Sequence, residues 1–326
     1  MRQSTVLSGT AALAVFERGE PTPDRPSVVM VHGWPDSHEV WDLVADRLHA
    51  EGHHVVTYDV RGVGESTPAL VHRPYTLDKM AADIGAVIDD VSPDRPVHLV
   101  GHDWGGVEGW EYVSTEACDG RVATFTTVSG PNLDHLGHLM RTSPRAAVVQ
   151  GTKSLYTLVL SVPLLRTGMW RLGMARAFRR WLRVTEGVRP EDGYPGVGLA
   201  QHAIAAVPLY RTNIFGRMRR PEIRPARVPV HQLVATKDNY VSASVLAHSA
   251  QWVDDFTRNE IVAGHWSPRT HPDDVARHLS EYFSSRTRRA LASRSARGRR
   301  SSRNGCSSRE STRIVGSISS TRPEPS

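Results

Sequence analysis

Apolar and polar positions alternate between two rhythms along the first 130 residues. "SVVMVHGW" (27–34) is almost continuously apolar and sits between Pro26 and Pro35, the pattern of a strand buried on both faces. Asp36, with Glu39 three residues on, reads as a helix N-cap with a capping box. The helix it opens places Val40, Trp41, Val44 and Leu48 on one face. "HHVVTYDV" (53–60) is a second buried strand, and Leu77, Met80, Ala81, Ile84, Val87, Ile88 and Val91 then recur at helical spacing. "PVHLVGHD" (96–103) is a third strand with a helix opening at Trp104, and "RVATFTTVSG" (121–130) is a fourth. Strands and helices alternating over short links predict a mostly parallel sheet with helices on both faces. Residues 5–18 supply a leading hairpin.

The alternation then stops. Residues 132–226 are irregular and Arg-rich, with apolar helical patches at Tyr156–Leu165 and Met169–Leu182. The strand pattern resumes at "VPVHQLVATKD" (228–238) and "RNEIVAGH" (258–265), followed by a helix carrying Val275, Leu279 and Phe283. The reading is a doubly wound α/β core formed by residues 1–131 and 227–285. A helical cap (132–226) is inserted between its fourth and fifth parallel strands. Residues 286–326 are rich in Ser and Arg and lack periodicity, so a disordered tail is expected there.

Charge changes the picture in one respect. The chain of 326 residues carries +6, yet residues 286–326 hold eleven Arg and two Glu, a net +9. The first 285 residues are therefore at −3, and nucleic-acid binding is not expected of the core. An anchoring role for nucleic acid or acidic surfaces is left to the tail. Two cysteines, Cys118 and Cys306, form no disulfide framework. "AALAVF" is too short for a secretory apolar segment. "LYTLVLSVPLL" (155–165) falls short of the ~20 residues a membrane span needs. A cytoplasmic protein is expected, with peripheral membrane contact through the cap.

The candidate chemistry centres on "GHDWGG" (101–106). Buried strand, tight glycine-bearing turn and helix form the context of a nucleophile elbow, here with Asp103 where Ser or Cys is usual. A carboxylate is ionised at neutral pH without help from a base and suits displacement at a strained or activated sp3 carbon. The product is an alkyl ester of the enzyme, whose hydrolysis requires an activated water. His265 in "AGHWSP" ends the last strand and Asp238 in "ATKDNY" ends the preceding one, in nucleophile–acid–histidine order. Asp134, just after the fourth strand, competes with Asp238 as the acid. The backbone N–H groups of Trp34 and Trp104 are positioned to form an oxyanion hole. "DVRGVGES" (59–66) reads as a structural turn.

"HGWPD", "DVRGVGES", "GHDWGG" and "GHWSP", in this order and spacing, resemble the epoxide hydrolase branch of the α/β-hydrolases over about residues 5–285. The resemblance extends to the hydrolase half of two-domain proteins in which a short-chain reductase domain follows. It implies the α/β-hydrolase fold with an inserted cap, a small hydrophobic epoxide and water as reactants, and neither cofactor nor metal. It also implies two cap tyrosines on the epoxide oxygen, at positions matching Tyr156 in "SLYTLVL" and Tyr210 in "PLYRTNI". Leu209 stands where the family has Trp. The rival reading is a haloalkane or haloacid dehalogenase, which uses the same Asp nucleophile but needs no tyrosine pair.

Overall fold

The computed structural model describes residues 1–67, 75–160, 168–189 and 193–306. Eight strands form one sheet: β1 (Arg2–Ser8), β2 (Ala11–Arg18), β3 (Val28–Val31), β4 (Val55–Tyr58), β5 (Val97–His102), β6 (Val122–Val128), β7 (Val230–Ala235) and β8 (Phe256–Ile261). Their order is β1-β2-β4-β3-β5-β6-β7-β8. β1 and β2 pair as the expected hairpin and β2 runs antiparallel to β4; every later pairing is parallel.

The sequence explains the layering. Every residue of β3, β4 and β5 is buried, which only a strand covered on both faces permits. At the far edge, β8 reads "FTRNEI" and is half-exposed, its charges discouraging further pairing. Helices α1 (Asp42–Ala50), α2 (Leu77–Val91) and α3 (Trp104–Val113) pack on the sheet. The stripes Val44–Leu48 and Met80–Ile84–Val87–Ile88 are fully buried or nearly so. Each such side chain contributes about 1.5–3 kcal/mol of burial free energy.

Between β6 and β7, the fourth and fifth parallel strands, lies a helical layer. It begins with α4 (Leu133–Thr142), α5 (Pro144–Lys153) and α6 (Leu155–Leu160). A helical run over 168–186 follows, then helices Leu199–Ala206 and Pro208–Arg219. The side chain of Asn132 accepts from the N–H groups of Asp134 and His135 and so starts α4. Ser143 caps α5 in the same way, with Pro144 in its first turn, where no N–H is missed. The apolar stretch 155–165 extends outside the described residues from position 161 on.

The structure departs from expectation at two places. Asp36 caps no helix: the short turn His38–Trp41 starts after Ser37 without a side-chain cap bond. The Asp36 carboxylate instead turns inward, against Tyr194 and Trp266. The last helix runs from Pro272 to Cys306, so residues 286–306, expected to be disordered, are helical. Composition argued for disorder, but this stretch lacks Pro and consists mainly of Arg, Ala and Ser, which a helix tolerates. Residues 307–326 lie outside the described ones. The chain divides into two compact units, Met1–Glu281 and Tyr282–Ser326. In the second, the described backbone is the end of that helix.

Candidate active site

Three consequences of the β5–α3 connection place Asp103. The chain must reverse from strand to helix in one residue, and Asp103 takes φ 50°, ψ −120° to do it. A non-glycine residue in this region is strained, and such strain concentrates at functional sites. Gly105 lies so close to the main chain of β3 that a Cβ there would overlap the carbonyl of Val31. Gly33, on the turn after β3, is packed against the Asp103 side chain and the Trp104 N–H. The strand-to-helix turn is thereby pressed against the end of β3, and Trp34 N–H donates to Asp103 Oδ2 at 2.9 Å. The Trp104 N–H bonds the same carboxylate. The Asp103 side chain remains 14% exposed, so a small molecule can reach it.

The loops after β7 and β8 bring up the other two groups. His265 Nδ1 lies 2.9 Å from Asp238 Oδ2, and its Nε2 lies 3.7 Å from Asp103 Oδ1. The other Asp238 oxygen accepts from the N–H groups of Tyr240 (2.6 Å) and Val241 (3.0 Å). Asp134 is not part of this cluster: Arg217 donates to it at 2.7 Å and Glu222 N–H at 3.1 Å. The fully buried His102 lies beneath, its Nε2 2.9 Å from the His265 carbonyl oxygen.

The electrostatics follow from charge in a dry place. Burial, with a smaller push from the charge of Asp238, lifts the Asp103 carboxyl above the usual range; His265 and the two N–H donors oppose the rise. Burial also lifts Asp238, yet His265 and the backbone donors outweigh it and hold it at about 2. Burial lowers His265, but the charge and hydrogen bond of Asp238, with Asp103 and Glu186, raise it to about 9. The histidine is therefore held as an imidazolium against the Asp238 carboxylate. His102, buried and facing that imidazolium, is lowered to about 3 and stays neutral.

From the helical layer come both tyrosines. Tyr210, on Pro208–Arg219, has its ring 5.0 Å from Trp104 and 5.6 Å from Trp34, edge to face. Tyr156, on α6, lies 6.2 Å from Tyr210, and the two phenols share a hydrogen bond. Burial and the charge of Asp103 raise both phenols, which stay protonated. Leu209 is buried at the position before Tyr210. The Trp34 indole donates to the Ala203 carbonyl at 3.0 Å and so ties this layer to the core, while the Trp104 indole bonds Tyr210.

Tyr240, Glu186, Tyr194 and Asp36 also join the cluster. The Tyr240 ring lies edge-on to His265 at 4.9 Å and to Tyr156 at 5.4 Å. Glu186 is buried against the His265 loop, accepting from Trp266 N–H at 3.4 Å, and sits where any side chain at Gly264 would be. Its other oxygen has no partner, and burial raises its pKa. Tyr194 donates to Asp36, whose carboxyl burial pushes up to about 7. No signal in the sequence marks Glu186 or Tyr194, because only the packing of the helical layer on the core brings them in. Among the described residues, no cluster of three or more His, Cys, Asp or Glu could hold a metal ion.

Comparison with known proteins agrees with this architecture. Residues 26–272 match the model of the alpha/beta hydrolase fold family. The chain is 38% identical over 284 residues to "Probable oxidoreductase EphD" of Mycobacterium tuberculosis, covering 83% of this chain but only 47% of that one. It thus spans about half the length of that relative. "Epoxide hydrolase A" of the same organism is 29% identical over 259 residues, covering 76% of this chain and 71% of the other. Among solved structures, an epoxide hydrolase from Bacillus megaterium superposes with a TM-score of 0.72 at 20% identity, covering 86% of this chain and all of the other, a likeness of fold. The chain belongs to the α/β-hydrolase fold family.

Proposed function

We propose that this protein opens an epoxide to a vicinal diol through a covalent ester on Asp103. The observation that carries the reading is a carboxylate on the strained turn at Asp103, with Oδ2 held by the Trp34 N–H and Oδ1 facing His265. Oδ1 attacks an epoxide carbon and the C–O bond of the ring breaks. The oxygen leaves as an alkoxide that takes a proton from the Tyr156–Tyr210 pair. A strained ring and phenol donors together lower the barrier to a poor leaving group.

The second step uses the histidine. Alkylation removes the negative charge of Asp103, so the imidazolium loses one of the carboxylates that hold it protonated; it gives up its proton while the tyrosinate left by the first step takes one back, through solvent. Neutral His265, oriented by Asp238, then takes a proton from water as the water attacks Asp103 Cγ. Negative charge develops on Oδ2, where the N–H groups of Trp34 and Trp104 receive it. Collapse releases the diol and restores the carboxylate. No cofactor or metal takes part.

Haloalkane or haloacid dehalogenation by the same nucleophile is the second reading. It needs free N–H donors for the departing halide, and both nearby indoles are engaged, Trp34 by Ala203 and Trp104 by Tyr210. The phenol pair beside Asp103 serves an alkoxide better. The experiment is product analysis with styrene oxide-like and long-chain epoxides beside haloalkanes. Diol formation that Asp103→Asn abolishes supports the reading; halide release without diol overturns it.

A further inference from the structure

The modest charge of the first 285 residues conceals a separation. Residues 132–226 contain fifteen basic and five acidic residues, a net +10, and the other residues up to 285 together carry −13. Two of the five acids, Asp134 and Glu186, are buried, so the exposed face of the helical layer is more basic than the count suggests. The charge is most ordered on the helical run over 168–186. Its inner face carries Phe178 and Trp181, whose rings lie 5.7 Å from Trp266 beside the catalytic histidine. Its outer face carries Arg176, Arg180 and Arg183, all exposed, spaced for one side of a helix.

Aliphatic side chains stand among these cations. Leu172 is 89% exposed and Val184 is 71% exposed, and Val197 is fully exposed. Arg179, Arg183 and Val197 line one hollow of about 390 Å³. Single exposed aliphatic groups are ordinary on a protein surface; here they accompany a row of exposed arginines. At a lipid surface the aliphatic groups enter the acyl boundary while the guanidinium groups meet phosphate. A nucleic-acid site would instead present stacking aromatics, and the aromatic rings of this run are turned inward.

We infer that the outer face of helical run 168–186, with Val197, docks on an anionic lipid bilayer. The positive layer faces the membrane and the acidic core faces away, which orients the molecule. The active site then lies one helix thickness from the lipid that dissolves apolar substrates. This docking does not depend on which reaction Asp103 performs.

The test is co-sedimentation of the full-length protein with vesicles of phosphatidylcholine containing phosphatidylglycerol, compared with Arg176→Gln/Arg180→Gln/Arg183→Gln. Each arginine near an anionic surface accounts for about a fivefold change in partitioning, so the triple variant should bind about a hundredfold more weakly. Val184→Ser with Leu172→Ser should weaken binding that persists at high salt. Thermal melting of each variant shows that it is folded. Unchanged vesicle binding by the triple variant would overturn the proposal, since the basic residues after 285 would then carry it. Arginine-dependent binding to duplex DNA with none to vesicles would overturn it as well.

Discussion

Removing the charge of Asp103 should turn His265 from an acid into a base, and the size of the change follows from the geometry. His265 Nε2 lies 3.7 Å from Asp103 Oδ1. Two unit charges at that distance, with an effective dielectric of about 20, interact by about 4 kcal/mol. That corresponds to about three pKa units. The resting imidazole is held at about 9, so in Asp103→Asn it should titrate near ~6. In the proposed mechanism the same loss occurs when Asp103 becomes an ester, which would free His265 to activate water. The assay is NMR titration of histidine Cε1 signals, with the His265 resonance assigned by its loss in His265→Gln. A His265 resonance still titrating near 9 in Asp103→Asn would refute the reasoning, because the histidine could not then serve as base in the ester at neutral pH.

Other perturbations follow from particular contacts. Tyr156→Phe and Tyr210→Phe should each slow ester formation about 10²–10³-fold in single-turnover experiments with epoxide, the effect of losing one donor to a developing oxyanion; alkylation at the wild-type rate in the double variant would remove the tyrosines from the mechanism. Gly105→Ala should destabilise the fold by about 3 kcal/mol in urea unfolding, because the new Cβ meets the main chain of Val31, which cannot move without β3. Asp36 has its folded pKa raised to about 7 from 3.8, so its contribution to stability is complete below about 4 and is lost as pH rises through 7. His265, raised from 6.5 to about 9, has the same sign but acts at higher pH. Asp36→Asn should therefore flatten the fall in stability between pH 4 and 7 by up to about 4 kcal/mol; an unchanged slope in urea titrations across that window would count against it.

The fold was legible where burial leaves an unambiguous trace. Val28–Val31, Val55–Tyr58 and Val97–His102 are buried on consecutive positions because both faces of the sheet are covered, and their shortness, β-branched content and flanking turn residues mark them as strands. The elbow was legible because its glycines are imposed by close approach of main chains, as Gly105 and Val31 show. Asp36 resembles an N-cap because a capping box and a buried carboxylate share one local spelling; distant partners, Tyr194 and Trp266, distinguish them. Glu186 left no trace at all, since its position against the His265 loop depends on how the helical layer rests on the core. Residues 286–306 are helical where composition suggested disorder, since low hydrophobicity argues against a packed core and says little about whether a single helix forms.

The central claim is that oxygen from water reaches the diol through the carboxylate of Asp103. The most direct measurement is one turnover of epoxide by excess enzyme in H₂18O, followed by mass analysis of the diol and of the peptide containing Asp103. The mechanism predicts label in Asp103 and none in the first diol, because the oxygen transferred is one the carboxylate already held. Label appearing directly in the diol, with Asp103 unlabelled, would contradict it.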